Sequence, residues 1–76
     1  MRMVLVYRTT VEDKRAASTV VTALDRYLGE GKWSFDLEDR DKILRIEADD
    51  GRIPVVKNTI FALMTNNGFE CEELPV

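Results

Sequence analysis

The chain has 76 residues, 45% hydrophobic and 33% charged, enough for one small globular domain over residues 1–76 and too few for a second core. A domain this size buries only about 60% of its unfolded surface, which leaves little structure to spare for catalytic machinery and disfavours an enzyme. The formal net charge of −3 disfavours nucleic acid and anionic membrane as main partners, since both demand an excess of Lys and Arg.

Met3 to Thr9 is apolar and β-branched, which predicts a first strand buried in the core. Thr10-Val11-Glu12-Asp13 has the pattern of a capping box and predicts a helix from Asp13 to Leu28. Its apolar stripe is Ala16, Val20, Ala23, Leu24 and Tyr27, and Gly29 and Gly31 end it. Trp33, Phe35 and Leu37 alternate with polar residues, the period of a half-buried strand. Glu38 to Asp41 is a turn, and Leu44, Ile46 and Ala48 alternate as the returning arm of a hairpin. Asp49-Asp50-Gly51 is a polar loop. Pro54 suits the first turn of a second helix running to about Asn66, with Val56, Ile60, Leu63 and Met64 inward. Asn67-Gly68 is a left-handed stop, and Phe69 to Leu74 forms a last short strand. The expected class is α+β: a ferredoxin-like βαββαβ sandwich, a four-stranded antiparallel sheet with two helices on one face.

Val11 to Ala16, followed by Val20, Ala23 and Leu24, resembles the heavy-metal-associated domain of copper chaperones and metal-pumping ATPases. Gly29, Phe35-Asp36-Leu37, Leu44-Arg45-Ile46 and Gly68-Phe69-Glu70-Cys71 are similar to that family's helix-end glycine, its second and third strands and its final Gly-aromatic strand. Nearly the whole chain takes part. The family's loop carries Met before Cys-x-x-Cys; here Val11 stands at the Met position, and Asp13 and Ala16 stand at the two cysteines. Soft monovalent copper needs thiolate or thioether donors, so the resemblance implies the fold without the metal transfer, and no cofactor is expected. Zinc would need about four donors, and the chain has no histidine.

The remaining reactive groups are few. Cys71 is the single cysteine, which agrees with a reducing, cytoplasmic location; by the resemblance it replaces a small inward residue of the last strand. Met3 reads as strand core, Met64 as helix core, and Tyr7 and Trp33 as inward strand residues. The longest apolar run, Met3 to Tyr7, is too short to span a membrane. Glu12-Asp13-Lys14-Arg15 could hold an anion at a helix start, although its two acids oppose this. No histidine base, Gly-rich phosphate loop or activated cysteine supports catalysis.

With Tyr7 and Thr9 facing the helices, the other sheet face presents Val4, Val6 and Arg8 from the first strand and Ile43, Arg45 and Glu47 from the third. In this topology those two strands are central. Arg8 and Arg45 are then flanked by Asp36 and Glu38 on one side and Glu70 and Glu72 on the other, set for cross-strand ion pairs. No aromatic stands there to stack a base, which separates this face from RNA-recognition modules of similar topology. Val4, Val6 and Ile43 instead form a small apolar centre in a charged rim, suited to self-association or to a protein partner. The expected function is a protein-interaction or scaffolding module. The alternative is a divergent metal-handling protein that binds its ion between two chains.

Overall fold

The computed structural model describes residues 2–29 and 31–75. In chain order they form β1 (Arg2–Thr9), α1 (Ser18–Leu28), β2 (Trp33–Asp36), β3 (Ile43–Asp49), a single 3-10 turn (Asp50–Arg52), α2 (Ile53–Asn66) and β4 (Cys71–Leu74). The four strands make one antiparallel sheet in the spatial order β2-β3-β1-β4. The domain is thus α+β, with one four-stranded sheet and two helices. Its run of elements departs from the expected one by the 3-10 turn between β3 and α2 and by the late start of α1.

One side of the sheet carries the core. Leu5 and Tyr7 from β1 and Leu44, Ile46 and Ala48 from β3 pack with Val20 and Leu24 of α1 and with Val56, Ile60 and Met64 of α2. Period-two strand residues meet period-3.6 helix residues here, and each fully buried aliphatic side chain contributes about 1.5–3 kcal/mol. Trp33, Phe35, Leu37, Leu63, Phe69 and Cys71 close the margin of this core. Trp33 and Phe35 meet edge to face, ring centroids 5.7 Å apart, and the Trp33 indole N–H donates to Asp25 of α1 at 2.9 Å.

The capping-box reading of Thr10 to Asp13 is corrected. Thr10 Oγ1 accepts from the Glu70 N–H at 2.9 Å, tying the β1–α1 loop to the residue just ahead of β4. The Asp13 carboxylate accepts from the Ala16 N–H at 2.8 Å. That local turn competes with the helix, as short acidic side chains do, so α1 begins only at Ser18, with Ala17 as its N-cap. Ala17 is accordingly the buried alanine, and Ala16 is exposed.

The end of α2 follows the sequence closely. Asn67 is the C-cap, and Gly68 follows with φ +83°. The Phe69 N–H donates to the Met64 carbonyl at 2.9 Å and the Gly68 N–H to Thr65 at 3.1 Å, the paired bonds of a Schellman stop. β4 then begins at Cys71, two residues later than expected.

Met3 is a further correction. It points to the helix side yet is 46% exposed. Its row of the sheet holds only Ala48 opposite, because β2 starts at the level of Ile46 and β4 ends at the level of Val6. Core membership by alternation fails where the neighbouring strands stop. Among the described residues no helix is long and apolar enough to cross a membrane.

Candidate interaction surface: the open face of the sheet

Strand alternation places Arg2, Val4, Val6 and Arg8 of β1 on the side of the sheet away from the core. The ladders bring matching residues beside them: Glu47 opposite Val4, Arg45 and Leu74 on either side of Val6, Glu72 opposite Arg8, and Ser34 beyond Arg45. Val4 is 43% exposed, and Val6 and Leu74 are half-buried. The centre of the face is therefore a short apolar strip, and its margins are charged.

The margin is organised by weak cross-strand ion pairs. The Arg8 guanidinium lies 3.5 Å from Glu72 and 3.7 Å from Asp41, and Arg45 lies 3.8 Å from Asp36. All five groups keep much of their solvent contact, so each pair contributes about 0–1 kcal/mol. Two of the expected acidic flanks, Asp36 and Glu72, engage. Glu38 and Glu70 do not, and Asp41 takes part because the hairpin turns back toward β1, where the Thr9 N–H donates to the Asp41 carbonyl at 3.0 Å. Lys42 holds that turn with φ +52°. Its ammonium donates to the Leu37 carbonyl at 2.9 Å, and its own carbonyl accepts from the Thr9 hydroxyl at 2.7 Å.

Ile43 departs from its expected role in the apolar centre. It is only 4% exposed although it sits on the open side. Asp36 is its ladder partner, and Asp41, two residues before it, draws Arg8 across. Long side chains cover apolar ground with their stems while their heads stay wet. With Ile43 withdrawn from solvent, Val4, Val6 and Leu74 are left as the accessible apolar group.

The mouth of the first helix gathers no ligand set. Ala16 is exposed and Asp13 bonds backbone, and the described residues hold no group of three or more His, Cys, Asp or Glu that could coordinate an ion. The Glu12-Asp13-Lys14-Arg15 loop stands a full turn ahead of Ser18, so it lies outside the helix N-terminus that was to supply its N–H groups.

Cys71 pairs with Thr9 in the β1–β4 ladder and packs against the core margin. Burial pushes its thiol pKa up, which disfavours a nucleophilic thiolate. It borders an open cavity of about 360 Å³ whose other walls are Arg8, Thr9, Thr10, Glu70 and Glu72. Tyr7 is buried beside it, its hydroxyl without a hydrogen-bond partner among the described residues. Desolvation, then the charges of Glu73 and Cys71, push its pKa up to about 12. Glu73 itself is held by Lys57 of α2 at 3.0 Å.

Compared with known proteins, the chain matches no family model, no curated protein and no solved structure. Leu74 and Asp41 were missed as members of this face. The alternation Glu70, Glu72, Leu74 already signals the first, whereas Asp41 depends on how the hairpin folds back, which no local pattern records.

Proposed function

We propose that this chain is a protein-interaction module, a ferredoxin-like βαββαβ sandwich of heavy-metal-associated type that acts without metal and without catalysis, through the open face of its sheet. The observation that carries the reading is the pairing of an uncovered apolar strip, Val4, Val6 and Leu74, with a rim of half-exposed ion pairs. An apolar centre with a polar, solvent-accessible rim is the anatomy of a protein interface. The accessible strip is small, which suits a modest or transient contact more than a permanent one. Mixed charges on the face give phosphate no continuous positive track, and aromatic platforms for bases are missing from it, so a nucleic-acid role gains no support here.

Photo-crosslinking in the cells that make the protein tests this reading. A crosslinkable residue in place of Ser34 reports on the open face, and one in place of Asn58 reports on the outer side of α2, where Val55 and Phe61 are 59% and 61% exposed. Protein adducts from Ser34 that vanish with Val6→Glu are expected. Adducts from Asn58 alone would move the working surface to the helix and end the proposal. In native mass spectrometry, added Cu(I) or Zn(II) is expected to leave the mass unchanged.

A further inference from the structure

Charge on the open face is arranged so that the face complements itself. Arg45 and Glu47 stand two residues apart on β3 and point the same way; Val6 and Val4 are their ladder partners on β1. Among the described residues Arg45 has a single long ion pair, 3.8 Å to Asp36. Among the described residues Glu47 has no ion pair and no side-chain hydrogen bond. Between them, with Val4, Lys32 and Ser34, lies a shallow open cavity of about 240 Å³.

We propose that the occupant of this face is a second copy of the chain, docked face to face about a two-fold axis that crosses the strands between the level of Val4 and the level of Val6. This rests on the reading of the open face as the working surface and names its partner. The two-fold sets Val6 of one copy over Val4 of the other, and Val4 over Val6. It sets Arg45 over Glu47 of the second copy, inside the shallow cavity, and Glu47 over Arg45. One apolar contact and one charge pair are each made twice, as an isologous interface requires. The same operation lays Arg2 of the second copy over Arg8, beside Asp41 and Glu72, so that two cations there face two carboxylates. Neither a uniformly acidic nor a uniformly basic partner could meet Arg45 and Glu47 together in this way.

From strand spacing and rise, the face measures roughly 20 by 20 Å. Two copies then bury about 800 Å², at the low end for a specific interface, so the dimer is reversible and depends on concentration.

Sedimentation equilibrium of the full chain tests the proposal. The average mass is expected to climb from monomer toward dimer between about 10 μM and 1 mM, and Val6→Glu should hold it at monomer. Glu47→Arg alone sets like charges together across the axis and should weaken association at least tenfold; the exchange Arg45→Glu with Glu47→Arg should restore it. Circular dichroism confirms that each variant is folded. A wild type that stays monomeric throughout overturns the second copy. So does a dimer that ignores Val6→Glu and Glu47→Arg but breaks with Phe61→Glu, or a double exchange that fails to recover. If the protein is monomeric while Ser34 still crosslinks to another protein in cells, only the identity of the occupant is lost. If Ser34 crosslinks to nothing, the reading of the face falls as well.

Discussion

The two faces of the sheet are built from the same strands by the same alternation, yet they behave as different materials. On the covered face Leu5, Tyr7, Leu44 and Ile46 are almost wholly withdrawn from water by α1 and α2. On the open face one residue along, Val4 is exposed, Val6 is half-buried and the arginines hold only long ion pairs. The difference lies in what stands above each face. Burial makes the covered side responsible for stability, whereas the open side has no layer above it and contributes little to the fold.

The largest test of that division is a truncation on the covered face. Ile46→Ala removes a fully buried side chain from the centre of the sheet and is expected to cost about 2–5 kcal/mol in denaturant unfolding; a loss below 1 kcal/mol would mean the core is not packed as described. Next comes the buried phenol of Tyr7. The unfolded chain gives up this proton near pH 10 and the folded chain only at about 12, so stability is fully present below pH 10 and falls as pH rises through that window. The loss amounts to about 2–3 kcal/mol. Tyr7→Phe should erase this alkaline component. It should cost little at pH 7, because the hydroxyl it removes has no partner among the described residues. The smallest effect belongs to the open face. Arg45→Ala is expected to change stability by about 0–1 kcal/mol, and Val4→Ser by no more than about 0.5 kcal/mol. A larger loss from either would show that the open face also supports the fold.

The elements of the fold were largely legible from local patterns, because alternation and helical periodicity record which side of a segment is buried. Leu44, Ile46 and Ala48 on β3, and Val56, Ile60 and Met64 on α2, sit where their spacing places them. The stop at Asn67-Gly68 is equally local, since Gly68 adopts the left-handed backbone its type favours. The candidate surface was legible in part. The alternation that hides Leu5 and Tyr7 also exposes Val4, and the topology puts Arg8 and Arg45 beside acids.

Where the reading went astray, a distant group had intervened. Thr10 reads as a helix cap only while Glu70, sixty residues away, is out of sight; once the chain ahead of β4 lies alongside, its hydroxyl is claimed, and the Asp13 turn left in its place holds α1 off until Ser18. Met3 and Ile43 show the same lesson in opposite directions. Met3 follows the inward pattern but lies past the reach of β2 and β4, and Ile43 follows the outward pattern but is only 4% exposed beside the strands that carry Asp36 and Arg8. A residue's period along the chain tells its side of the sheet. Its exposure is set by which other segments arrive above and beside it, and that only the assembled tertiary structure decides.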